Sequence, residues 1–113
     1  MKHEEDRIQY EIVKYLQSVG VYFFSVSNDA GGRTVQAMAR AKSIGLRAGV
    51  SDMVLVLPGK VVFLEVKTAT GTTSHLQDVF RDRVTELGHQ YVVVRSVEDV
   101  KNLLDYPPSP VLG

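Results

Sequence analysis

The chain has 113 residues, 44% of them hydrophobic, which suffices for one compact core and falls short of two ordinary domains. It contains no cysteine, so disulfides, thiolate metal sites and cysteine nucleophiles are excluded together, and carboxylates and three histidines remain as possible metal ligands. The formal charge is zero, no stretch approaches the about 20 apolar residues of a membrane span, and Met1-Lys2-His3-Glu4-Glu5-Asp6 lacks the plan of a signal peptide, so a soluble cytoplasmic protein with no membrane partner is expected.

Ile8, Ile12, Leu16 and Val19 recur at helical spacing, which predicts an amphipathic helix from about Glu4 to Ser18, ended by Gly20. Projected at about 100° per residue, Glu5 and Gln9 fall within that apolar stripe, whereas Glu4 and Glu11 fall to one side. A carboxylate on a face that becomes buried needs a partner, unless it sits in a first turn where the helix dipole stabilises an acid. Val21 to Val26 reads as a strand, followed by the turn-rich loop from Ser27 to Gly32. The aromatic residues Tyr22, Phe23, Phe24 and Tyr91 are read as core packing rather than base stacking.

A second helix is predicted from about Arg33 to Ile44. Between Ala30 and Val50 the chain carries Arg33, Arg40, Lys42 and Arg47 and no acid, either as a solvated helix face or as a surface that grips phosphates. Met53 to Leu57 and Val61 to Val66 are two strands joined by Pro58-Gly59-Lys60, a hairpin signal. A helix from Ser74 to Leu87 should bury Leu76, Val79, Phe80, Val84 and Leu87, and Gly88 should end it. His75 and His89 flank its ends as surface residues. Tyr91 to Val94 is an apolar run typical of a strand covered on both faces, and Ser96 with Asp99 forms a capping box for a last helix through Leu104. The order α-β-α-β-β-α-β-α predicts an α/β fold: a four-stranded mixed sheet flanked by helices on both faces. One domain over residues 1–105 and a proline-rich tail over 106–113 follow.

Chemistry concentrates at one point of this plan. Asp52 stands at the start of one hairpin strand, and Glu65 and Lys67 stand near the end of the other, so antiparallel pairing brings them together. Glu65 and Lys67 are two apart and leave the same face of their strand. Two carboxylates suit a hard cation such as magnesium or manganese, and an ammonium beside them stabilises charge on a phosphoryl group. Each part of this pattern is common alone.

Gly49-Val50-Ser51-Asp52-Met53-Val54-Leu55, then Phe63-Leu64-Glu65-Val66-Lys67, then Ser74-His75-Leu76-Gln77-Asp78-Val79-Phe80, together resemble the VRR-NUC branch of the PD-(D/E)XK nucleases. The resemblance runs from Glu5 to about Val100 and is to a stand-alone member of phage or bacterial type. It implies a restriction-endonuclease-like fold and a site lined by Glu5, Asp52, Glu65, Lys67 and Gln77. In it Asp52, Glu65 and Glu5 would bind Mg2+, which Mn2+ can replace, Lys67 would support water activation, and Gln77 would position the water or Lys67. Glu5 matches the family's acid because it shares a face with Gln9, as in the family's E-x-x-x-Q helix. Gln77 has a second reading, since Ser74-x-x-Gln77 is also a capping box. The Asn28 region resembles the loop after the family's first strand, and Asn28 joins Arg33, Arg40, Lys42 and Arg47 as the expected DNA contacts. Stand-alone members imply a structure-selective endonuclease for branched DNA such as Holliday junctions, and a homodimer would suit that substrate. The alternatives are a restriction or repair nuclease on duplex, flap or nicked DNA, and a catalytically silent DNA-binding module.

Overall fold

The computed structural model describes residues 2–27 and 34–105. Asn28, Arg33, the Gly31-Gly32 pair and the proline-rich tail lie outside the described residues. The element order is α1 (Lys2–Ser18), β1 (Tyr22–Ser25), α2 (Val35–Ser43), β2 (Met53–Leu57), β3 (Lys60–Val66), α3 (His75–Glu86), β4 (Gln90–Val94) and α4 (Val97–Asp105). The strands form one mixed sheet in the order β1-β2-β3-β4, antiparallel except for the parallel β3–β4 pair that α3 connects. The predicted fold class and sequence of elements hold.

Alternation along the strands sorts the sheet into two faces. Met53, Leu55, Val62, Leu64, Val66 and Val94 point to one side, where Ile8, Ile12 and Leu16 of α1 and Val100 of α4 complete the buried core. Val19, predicted to share that stripe, is half exposed because it follows the end of α1. The second face is covered differently. Phe63 meets Phe80 of α3 edge-to-face at 5.3 Å, so α3 lies over the β3–β4 half. Among the described residues no other helix replaces it over β1 and β2, and α2 makes no close backbone contact with another helix or strand. Tyr22 is accordingly 72% exposed and Phe24 and Val56 are also exposed, which corrects the reading of both aromatics as core. Phe23 points the other way and packs against the core. For the same reason only Phe80 and Val84 of the predicted α3 stripe are half-buried, while Leu76, Val79 and Leu87 are exposed. Likewise Gln90 is exposed, Tyr91 to Val93 are half-buried and only Val94 is fully covered.

Two local devices set the geometry near Asp52. Gly49 has φ +86°, and a Cβ there would stand 2.5 Å from the Leu76 carbonyl oxygen, so this glycine lets the chain enter β2 against the first turn of α3. Gly49→Ala is expected to cost more than about 1 kcal/mol in urea unfolding, because the conformation and the space both reject a side chain. Unchanged stability would show that the close approach is not required. At α4, Ser96 accepts from the Asp99 N–H at 3.2 Å, but Asp99 Oδ2 accepts from Arg95 N–H at 2.8 Å. The predicted capping box thus closes one residue earlier than a reciprocal Ser96–Asp99 pair.

Candidate active site

The hairpin register pairs Met53 with Leu64, so the next step places Asp52 opposite Glu65. Both belong to the face that α3 partly covers. Asp52 is fixed there by its own strand partner, since the Val66 N–H donates to Asp52 Oδ2 at 2.7 Å. Lys67 continues the line beyond β3, where its N–H donates to the Val94 carbonyl at 3.0 Å. Glu65 is 1% exposed and Lys67 8%, an unusual depth for two ionisable side chains.

All the sequence-predicted residues of this strand end converge on one carboxylate. Lys67 Nζ lies 3.6 Å from Glu65 Oε2, and Gln77 Nε2 donates to the same oxygen at 2.9 Å. Gln77 Oε1 meanwhile accepts from the Ser74 N–H at 2.8 Å, and the Gln77 N–H donates to Ser74 Oγ at 3.2 Å. One side chain therefore caps α3 and holds the Glu65 carboxylate at once, so the capping reading holds and the cap leaves the amide nitrogen free to reach the candidate site. The two partners also fix its amide orientation, because an N–H needs the oxygen and a carboxylate needs the nitrogen.

Glu65 Oε1 is different. It is buried and receives no hydrogen bond from an N–H or O–H donor among the described residues. The Glu65 carboxyl neighbours that of Asp52, and two carboxylates join only through a shared proton or a cation. Burial first, and then the charge and proximity of Asp52, push the Glu65 carboxyl up to about 8, despite the opposing effect of Lys67. At neutral pH the metal-free pair thus retains a proton. A buried carboxylate with one orphaned oxygen beside a second carboxylate is a donor set that fits a hard cation. Among the described residues no group of three or more histidine, aspartate or glutamate side chains converges, so the expected third metal ligand, Glu5, does not join Asp52 and Glu65 directly.

Glu5 stands apart from this cluster but at the same end of the sheet. Gln9 donates to Ser25 Oγ at 3.2 Å, and the adjoining Val26 N–H donates to the Asp52 carbonyl at 2.8 Å. The first turns of α1 therefore overhang the end of β1 next to Asp52, with half-buried Glu5 one turn before Gln9. Arg40, Lys42 and Arg47 are exposed on and just after α2, while Asn28 and Arg33 are outside the described residues. His75 and His89 are exposed, as expected. Sequence reasoning passed over Arg95, whose Nη1 donates to the Thr68 and Gly71 carbonyls at 2.6 and 2.7 Å. It fastens the loop that links Lys67 to Gln77, and no motif announces a basic residue used this way. A cavity at the hairpin end, lined by Leu57, Lys60, His89 and Gln90 among others, lies at the opposite end of β3 and contains no acid.

No family model matches the sequence, and no curated protein matches it. Solved structures do. A protein described as "VRR_NUC domain" superposes with a TM-score of 0.68 at 22% identity, covering 92% of this chain and 97% of the other. A second, "VRR_NUC domain protein", superposes with a TM-score of 0.69 at 16% identity, covering 89% of this chain and 84% of the other. At these identities the likeness establishes the fold: this chain has the architecture of a VRR_NUC domain over most of its length.

Proposed function

We propose, from the premise of that shared fold, that this chain is a divalent-cation-dependent endonuclease that hydrolyses phosphodiester bonds in DNA, with Mg2+ as the cation and Mn2+ able to substitute. The observation that carries the reading is the buried Glu65 carboxylate, held by Lys67 and Gln77 on one oxygen, without a hydrogen-bond donor on the other, and beside the Asp52 carboxyl. Asp52 and Glu65 would hold the cation, and Glu5 would reach it through water or serve a second one. Bound there, a cation would act as a Lewis acid on a phosphate oxygen and lower the pKa of a coordinated water.

The chain's own residues supply the rest. The Lys67 ammonium neutralises charge growing on the phosphoryl oxygens and directs the attacking water, and its position at the mouth of a buried site strengthens that effect relative to water. Gln77 keeps the Glu65 carboxylate from rotating, and so holds it beside Asp52. The capped first turn of α3 and the Arg95-fastened loop keep Gln77 in place.

The basic residues Arg40, Lys42 and Arg47 form the proposed phosphate-contacting surface, joined by Asn28 and Arg33, which precede α2 in the chain. Arg40→Glu is expected to weaken DNA binding and to lower the slope of log affinity against log salt by about 1. Titrations at several salt concentrations measure this, and an unchanged slope would place the DNA elsewhere. We also propose branched DNA as the substrate and a homodimer as the active form. The apolar Tyr22, Phe24 and Val56 patch on the open sheet face supports a second copy, since an exposed patch of this kind marks an association surface. Phe24→Glu in sedimentation should then give a monomer, and a wild-type monomer would remove the dimer. Labelled four-way junction, flap, nicked and plain duplex DNA compared side by side test the substrate class. Preferential cutting of the junction supports the reading, and equal or better cutting of duplex or flap favours a restriction or repair nuclease.

A further inference from the structure

Among the described residues, two buried side-chain polar atoms lack a hydrogen-bond partner: Glu65 Oε1 and the Tyr91 hydroxyl. The chemistry proposed above gives the first a role and the second none. Tyr91 stands beside Phe63 in the parallel β3–β4 register, and Val93 stands beside Glu65. Tyr91 and Glu65 therefore share the α3 face of adjacent strands, one diagonal step apart. The Tyr91 ring is held in place, with its centroid 6.0 Å from that of Phe80, which in turn packs edge-on against Phe63. The hydroxyl is buried.

What surrounds the hydroxyl is acidic. Beyond burial, the charges of Glu65, Asp52 and Asp78 favour its protonated form, opposed only by Arg81. A protonated phenol is a donor, and the two acids whose charges bear on it most, Glu65 and Asp52, belong to the candidate centre. Phenylalanine would fill the same place against Phe80 with no polar group to satisfy, so the hydroxyl is a liability unless it holds something.

We propose that Tyr91 is a positioning residue of the centre, its hydroxyl donating to an ordered water that in turn donates to the Glu65 carboxylate and fixes it opposite Asp52. The catalytic consequence rests on the nuclease reading, whereas the hydrogen bond does not. With Gln77 and Lys67 on Oε2 and the Tyr91-bound water on the other side, the carboxylate would be held from both edges. Outer partners of this kind commonly set the affinity of a metal-binding carboxylate.

The test uses Tyr91→Phe and Glu65→Ala, singly and together, melted in chelator, with Mn2+ titrations and cleavage kinetics on the wild type and Tyr91→Phe. Tyr91→Phe is expected to lower the melting temperature of the wild type but not of the Glu65→Ala protein, to weaken Mn2+ binding on the order of tenfold, and to reduce kcat with KM for DNA unchanged. An equal rise in melting temperature in both backgrounds, with Mn2+ affinity unchanged, would overturn the proposal and mark the hydroxyl as unpaired. If the wild type neither binds Mn2+ nor cuts DNA, the nuclease reading fails, and the melting coupling alone then upholds or overturns the hydrogen bond. A crystal structure of the metal-free wild type answers without variants: a water bonded to both groups supports the proposal, and a dry hydroxyl overturns it.

Discussion

Lys67→Ala is expected to leave the fold and cation binding close to wild type while lowering the single-turnover cleavage rate by about a hundredfold or more. The ammonium is 8% exposed and sits 3.6 Å from Glu65, so it acts on the phosphate from a region that water screens poorly. Its removal takes away charge stabilisation that counts most when the phosphoryl oxygens carry extra charge, which places the loss in kcat rather than in DNA affinity. The fold should survive because the metal-free carboxylate pair already holds a proton and so carries one negative charge rather than two, and the loss of Lys67, which lowers the Glu65 pKa, strengthens the hold on that proton. Isothermal titration with Mn2+ and a melting curve establish that survival. A near-normal rate in a folded, metal-binding variant would remove Lys67 from the mechanism.

The second large effect concerns pH. The Glu65 carboxyl titrates near 8 in the folded chain and near 4.5 when unfolded, so between those values the folded state retains a proton that the unfolded state has released. Stability from this group is fully present below about 4.5 and is lost as pH rises through about 8. Metal-free wild type should therefore melt at a lower temperature at pH 8.5 than the Glu65→Gln variant, whose amide does not ionise, and the gap should close toward pH 4.5. The variant should also be inactive, which makes it more stable and less functional at once, as expected of a site that stores an unfavourable charge. Cation binding replaces the shared proton, so wild-type affinity should rise with pH up to about 8. Parallel melting curves for the two proteins across this range would contradict the buried, proton-sharing pair.

The site was legible because hairpin geometry is. Pro58-Gly59 fixes the turn, the turn fixes the register, and the register puts Asp52 opposite Glu65, while strand alternation puts Lys67 on the same side. Glu65 also stood out as an acid within an otherwise apolar run. What periodicity could not show is how far a helix extends over a sheet. The apolar stripe of α3 predicted five buried residues, yet the helix crosses only the β3–β4 half, leaving Leu76, Val79, Tyr22 and Phe24 exposed. Gln77 looked like either a cap or a site residue because the sequence encodes neighbours along the chain. Its second partner, Glu65, is 12 residues away and is supplied by the packing of α3 on β3. Arg95 and the Tyr91 hydroxyl were invisible for the same reason, since their role depends on what faces them across the fold.

The central claim is that Asp52 and Glu65 hold a cation that cuts DNA. Cleavage of a labelled four-way junction with Mg2+ or Mn2+, by the wild type and by Glu65→Ala, each with and without chelator, tests it most directly. Cutting by the wild type that needs the cation and disappears in a folded Glu65→Ala protein is the predicted result. Cutting that persists in the variant or in chelator, or DNA binding by the wild type with no cutting of any DNA form, would contradict it.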